Sequence, residues 1–232
     1  MIKINDLTLK YKNSSNILES LNFDINKGEI FAIMGPSGCG KTTLLNYIQG
    51  INKDIIKVSG SIDTSEFQKI RTVFQESRLL PWLSVEDNIA FGLASVGIEE
   101  KDARELVQKY LKLVGLEKSA KLLPKELSIG MQQRVNFARA LVCKPDLLLL
   151  DEPFSALDII TKESLQEEFL NVIKKEKITA MFVTHNIDEA TKISDKVIVF
   201  SSCPAKVDSI INKGERHKVG DGIKIEFDPF GG

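Results

Sequence analysis

The sequence predicts an α/β fold on three observations. Short apolar runs alternate with segments of helical spacing along most of the chain. One such run, GEIFAIM, ends at a glycine-rich turn that opens a helix. Another, DLLLL, is bounded by turn residues and suits a buried parallel strand.

KINDLTLKY alternates apolar and polar residues and reads as a strand; LNFDI is a second and GEIFAIM a third. TTLLNYIQG reads as a helix stopped by Gly50. IIKVSGSI and IRTVF are further strands. From about Glu76 to Cys143 the strand signal vanishes. There ARELVQKYLKLVG and MQQRVNFARALV space apolar residues by three and four, which predicts helices. DLLLL is then followed by a helix in TKESLQEEFLNVIKK, a strand in ITAMFVT, a short helix in NIDEATKI and a strand in KVIVF. The expected organisation is a mixed sheet with flanking helices built from residues 1–75 and 144–232, with a helical subdomain, 76–143, inserted into it.

The 232 residues carry 31 basic and 32 acidic side chains, a balance that removes the footprint of a dedicated nucleic-acid binder. No signal-peptide pattern is seen at the start, and no run approaches the ~18 apolar residues of a membrane span. A soluble chain made in the cytoplasm is the expectation. Cys39, Cys143 and Cys203 are odd in number and scattered, which suggests reduced thiols. Two lone histidines, His185 and His217, do not make a metal site by themselves.

GPSGCGKT, Gly35 to Thr42, fits G-x-x-x-x-G-K-[ST] and lies between a predicted strand and a predicted helix. Gly35, Gly38 and Gly40 let the backbone curl so that its N–H groups face phosphate oxygens. The helix N-terminus adds partial positive charge. The whole loop, including Pro36, Ser37, Cys39 and the following Thr43, is therefore expected to bind nucleotide. Lys41 would reach the β- and γ-phosphates, and the Thr42 hydroxyl would ligate Mg²⁺. The pattern predicts a P-loop NTPase core. Cys39, just before a helix N-terminus, is expected to have a lowered thiol pKa and to be shielded by nucleotide.

LLLLDEP is a strand ending in two carboxylates. Asp151 is placed to hold Mg²⁺, and Glu152, pointing differently, to take a proton from an attacking water. Gln75 ends the strand IRTVF, where it would ligate Mg²⁺ or orient water. His185 follows ITAMFVT, which puts it on the same sheet edge as Asp151, where ligands of open α/β sheets bind. LSIGMQQR, Leu127 to Arg134, has Ser128 at a helix start, an ordinary N-cap pattern.

The order GPSGCGKT, Gln75, LSIGMQQR, LLLLDEP, SALD and His185 resembles the nucleotide-binding subunits of ABC transporters, over Tyr11 to about Val207. The resemblance implies an Mg²⁺-dependent ATPase working as a head-to-tail dimer of two ATP-binding subunits. It implies that Ser128 and Gly130 close over the γ-phosphate held by the partner's loop. Tyr11 would lie against adenine, Asp158 in a loop linking the two sites, and His185 at the γ-phosphate. FQESRLLPWLSVEDNIAFGL and VFSSCPAKV resemble nitrate, sulfonate and taurine-type importers. That implies two membrane permease subunits, an indirect solute-binding protein, and a peripheral position on the cytoplasmic face of the membrane. Trp82 would then anchor a permease helix. With some 30 residues after Phe200, the regulatory domain of longer importer subunits is not expected.

One departure stands out. Ile129 replaces the family's usual Gly, and a β-branched residue tolerates positive φ poorly. Either the backbone stays in an ordinary region with the side chain turned outward, or the signature is weakened. A nucleic-acid ABC machine and a slow ATP-binding module are the rival readings.

Overall fold

The structure is a computed structural model. It describes residues 1–12, 14–94, 96–155 and 157–214, and by backbone alone residues 216–219 and 223–226. The strands are β1 (Ile2–Tyr11), β2 (Asn16–Ile25), β3 (Ile30–Met34), β4 (Ile56–Asp63), β5 (Ile70–Val73), β6 (Leu147–Asp151), β7 (Thr179–Val183), β8 (Lys196–Phe200), β9 (Val207–Asn212), β10 (Arg216–Val219) and β11 (Ile223–Glu226). The helices are α1 (Lys41–Gln49), α2 (Val85–Phe91), α3 (Glu100–Leu113), α4 (Ile129–Leu141), α5 (Ile159–Glu176) and α6 (Ile187–Ile193).

A six-stranded sheet in the order β5-β6-β7-β3-β8-β9 forms the centre. All its pairings are parallel except the last, where β9 runs antiparallel to β8. The central strands are apolar on both faces because both are covered. In β6, Leu148 and Leu150 face the core shared with α4 and α5, while Leu147 and Leu149 face the opposite core with α1 and the second sheet. All four leucines are fully buried, which contributes about 1.5–3 kcal/mol for each side chain. β7 divides the same way, with Ala180 and Phe182 on one side and Met181 and Val183 on the other.

The second sheet is antiparallel, in the order β2-β1-β4. LNFDI marks only the second half of β2, which begins at Asn16. Ser20 has φ 50° and the β1–β2 register shifts nearby, so the period-two pattern is broken before Leu21. Gly60 is required in β4: a Cβ there would lie 2.1 Å from the Asp6 carbonyl oxygen.

Helices α2, α3 and α4 follow β5 and precede β6. α2 and α3 bury Val85, Ile89, Val107 and Leu111 against the α4 side of the core. Ser84 caps α2 by accepting from the Asp87 amide at 3.2 Å. β9, β10 and β11 carry no strand expectation from the sequence; β9 widens the main sheet by pairing with β8. Among the described residues no helix is long and apolar enough to cross a membrane.

Candidate functional site

The segment joining β3 to α1 wraps a cavity of about 220 Å³ lined by Ser37, Gly38, Gly40, Lys41, Thr42, Thr43 and Glu152. Gly40 stands at the N-cap of α1 with φ 106° and no side-chain cap. A Cβ on it would meet Ile17 Cγ2 at 2.6 Å, so glycine is demanded by both conformation and packing. With no side chain capping it, the first-turn amides of α1 keep their capacity for an anion.

Lys41 is buried, and its ammonium donates to the carbonyls of Gly35 at 2.7 Å and Pro36 at 2.9 Å. The loop thus holds its own cation in place. Thr42 Oγ1 donates to Asp151 Oδ1 at 3.1 Å, joining α1 to the end of β6. Burial pushes the Asp151 carboxyl above its ordinary range, and the neighbouring Glu152 charge adds to this, against the Thr42 hydrogen bond and the charge of Lys41. A carboxylate and a hydroxyl are hard oxygen donors suited to Mg²⁺. A divalent cation beside Asp151 would offset the cost of its ionised form.

Consecutive strand residues point to opposite faces, yet Asp151 and Glu152 both serve this edge. The chain achieves this by placing Glu152 at φ 44°, its amide donating to the Val183 carbonyl at 3.0 Å. A non-glycine residue there stores strain of about 1–3 kcal/mol. The turn aims Glu152 into the cavity, where Oε1 shares a hydrogen bond of 3.2 Å with His185 Nδ1.

Other expected site residues lie apart from this cavity. Gln75, expected to ligate Mg²⁺ or orient water, donates from Nε2 to Ser155 Oγ at 3.3 Å, and its carbonyl accepts from Gln133 at 3.4 Å. It lines a separate cavity of about 410 Å³ with Ile129, Gln133, Pro153 and Leu157. Tyr11 ends β1, partly buried against the core of the antiparallel layer. Asp158 caps α5, its Oδ1 accepting from the Thr161 amide at 3.0 Å, an arrangement that holds its carboxyl below the usual range. Of the SALD motif, Ala156 lies outside the described residues.

Ser128 caps α4, accepting from the Met131 amide at 3.2 Å, and is exposed. Gly130 is buried, and a Cβ there would lie 2.7 Å from Thr161 Cγ2. Neither lines the phosphate-loop cavity. Ile129 is the first residue of α4, has no positive φ and is 63% exposed. Its side chain turns outward on ordinary backbone.

Cys39 corrects an expectation. Its side chain is buried beneath the loop. Burial raises its thiol pKa, outweighing the charge and amide of Lys41. Its amide donates to the Pro36 carbonyl at 3.3 Å.

Sequence reasoning missed the polar face of α4. Gln133 is buried and also donates to the Pro153 carbonyl at 3.1 Å, so one side chain bridges the Gln75 and Asp151 loops. Asn136 donates to Gln133 Oε1 and the Phe74 carbonyl, and Arg139 to the carbonyls of Ser77 and Arg78. The available signal was spacing: these side chains fall three apart on a helix face that is otherwise apolar.

Residues 18–155 match the family model described as ABC transporter. The chain is 41% identical over 216 residues to the aliphatic sulfonates import ATP-binding protein SsuB of a Bacillus cereus strain, covering 90% of this chain and 85% of that protein. It is 39% identical over 232 residues to an uncharacterized ABC transporter ATP-binding protein of Methanocaldococcus jannaschii, covering 97% and 86%. A dimeric ATP-binding cassette in a post-hydrolysis state with ADP and Pi superposes with TM-score 0.77 at 29% identity, covering 91% of this chain and 98% of that one. The protein cbiO1 of Clostridium perfringens, part of the ABC transporter complex cbiONQ, superposes with TM-score 0.77 at 29% identity, covering 91% and 88%. A phosphate loop whose threonine meets a strand-end aspartate, with a glutamate and a histidine beside it, is thus found in a chain that belongs to the ABC transporter family of ATP-binding subunits and is an ATPase.

Proposed function

We propose that this ATPase powers an importer of a small solute of the nitrate, sulfonate or taurine type. The observation that carries its chemistry is the pair of contacts at one cavity, Thr42 to Asp151 and Glu152 to His185. In this reading Lys41 turns from the Gly35 and Pro36 carbonyls to the β- and γ-phosphates, and the loop amides stabilise charge on the transferred group. Thr42 and Asp151 would hold Mg²⁺, which neutralises phosphate charge when bound. Glu152 takes the proton of the attacking water, and His185 holds Glu152 and meets the γ-phosphate. Tyr11 meets adenine. Ser128 and Gly130 serve the site of a second copy of the chain, with Asp158 between the two sites. Residues 76–143 act as a helical unit carrying Ser128 and Gly130 toward that partner.

Two exposed aromatic residues support docking on membrane permease subunits. Trp82 is 71% and Phe91 54% exposed. Phe91 borders a groove of about 390 Å³ with Gly92, Ala94, Asn136, Arg139 and Ala140. Exposed apolar side chains around a groove mark interaction surfaces. The protein would lie peripherally on the cytoplasmic face of the membrane, with a solute-binding protein acting on the far side. The kinship with an aliphatic sulfonates import protein favours a sulfonate. The test is uptake by the chain assembled with two permease subunits in vesicles, with the solute-binding protein supplied on the far side. ATP-driven uptake of an alkanesulfonate, not competed by nitrate, is expected; uptake of nitrate alone, or of no sulfonate, would overturn the solute assignment.

A further inference from the structure

A chain of polar contacts outside the phosphate-loop cavity joins the loops on either side of it. Thr184, directly before His185, is 2% exposed, and its Oγ1 donates to Glu189 Oε2 at 2.5 Å. The same oxygen accepts from the amide of Asn186, directly after His185, at 3.0 Å. One hydroxyl therefore closes the turn around His185 and ties it to Glu189. Asn186 in turn caps α6, accepting from the Asp188 and Glu189 amides. The remaining Glu189 oxygen, Oε1, pairs with the Lys162 ammonium.

Lys162 stands in the first turn of α5, its amide bonded to the Asp158 carbonyl at 2.9 Å. Beside it, Thr161 closes the Asp158 cap and sets its methyl group against Gly130. One turn of α5 thus touches α4 through Thr161 and the His185 loop through Lys162. Glu189 is 4% exposed. A buried ion pair is a poor source of net stability, because desolvation offsets the Coulomb attraction. What it supplies is fixed geometry: both oxygens of one carboxylate are engaged, one by each side of the link.

We propose that Lys162 and Glu189 are positioning residues that hold His185 against Glu152 and tie that contact to the first turn of α5. The inference rests on Glu152 and His185 forming the catalytic pair. Breaking the link leaves the phosphate loop untouched, so turnover falls while ATP binding persists.

The test uses the full chain. ATP turnover, binding of a fluorescent ATP analogue and thermal unfolding are measured for Lys162→Met, Glu189→Gln, the double variant and Lys162→Arg, with Glu152→Gln alongside. Lys162→Met and Glu189→Gln are expected to lower kcat at least about tenfold with KM and Kd within about twofold. The double variant is expected to be no slower than the singles, and Lys162→Arg, which keeps the cation, to restore kcat to within about threefold. Unchanged kcat in both single variants would overturn the proposal. So would ATP affinity falling in step with kcat, or an arginine variant as slow as the methionine one. If Lys162→Met does not fold, Glu189→Gln decides, since it keeps the shape and the Thr184 bond. Full turnover in Glu152→Gln would instead remove the catalytic pair, and the positioning role with it.

Discussion

α1 and α4 are both helices whose N-termini are proposed to meet phosphate, and they are built in opposite ways. α1 starts at Gly40 without a side-chain cap, and its loop is filled by its own groups: Lys41 on two carbonyls, Thr42 on Asp151. α4 starts at Ser128, whose hydroxyl caps its own helix by accepting from Met131. That oxygen still has its proton to donate. The first arrangement is a cradle completed within the chain. The second presents a donor and a helix end outward, with no part of the phosphate-loop cavity near enough to share its lining. The difference fits the proposed reading, in which the chain holds one whole phosphate cradle and one half that a second copy would complete.

The sharpest break in the comparison comes at the cradle. Glu152→Gln is expected to lower kcat by about 10²–10⁴, the usual contribution of a positioned base, with ATP binding retained. Single-turnover hydrolysis with a bound-nucleotide assay checks it, and a fall in binding as large as the fall in rate would move Glu152 from base to ligand. On the α4 side, Gly130→Ala puts a methyl group into Thr161, which is expected to cost about 1–3 kcal/mol of overpacking. Chemical denaturation of the nucleotide-free chain measures that, and an unchanged midpoint would mean that α4 and α5 separate freely. Ile129→Gly is expected to change turnover by less than about tenfold, ~1.4 kcal/mol in the barrier, because the natural side chain already points outward. A large gain would show that Ile129 impairs the natural signature.

The smallest effect is expected at Cys39. Its thiol is buried with a raised pKa, so alkylation at neutral pH should be slow, and ATP should alter its rate by less than about twofold. Cys203, which is exposed, should label first. Peptide mass mapping of the labelled chain distinguishes them. Rapid labelling of Cys39 that ATP suppresses would restore the expectation that sequence position alone suggests.

That expectation fails for a reason that recurs through the molecule. The sequence shows where a residue stands along an element, and burial depends on what the fold lays over it. GEIFAIM and DLLLL are legible as central strands because a sheet covered on both faces needs unbroken apolar runs. The loop between GEIFAIM and α1 is legible because few sequences put three glycines, a lysine and a threonine at that spacing. Cys39 is misread because the helix end is local and the layer over it is not. Gln75 follows β5 as its place in the sequence indicates, but its Ser155 and Gln133 contacts come from residues 80 and 58 positions distant, which no local pattern reveals. β9 stays hidden because its burial alternation is weak, with Ile211 its one buried residue. Its pairing is set by β8, not by its own pattern.

The most direct test of the account is complementation between two inactive variants. Lys41→Ala destroys the cradle and leaves Ser128 intact; Ser128→Arg does the reverse. Each alone is expected to be inactive, with Ser128→Arg still binding ATP. A mixed pair joins the intact cradle of one copy to the intact Ser128 of the other. Equimolar mixing is therefore expected to restore turnover to at most about a quarter of the wild-type rate, since half of random pairs are mixed and each regains one site of two. A mixture no more active than its separate components would contradict the shared site and place Ser128 with the cradle of its own chain.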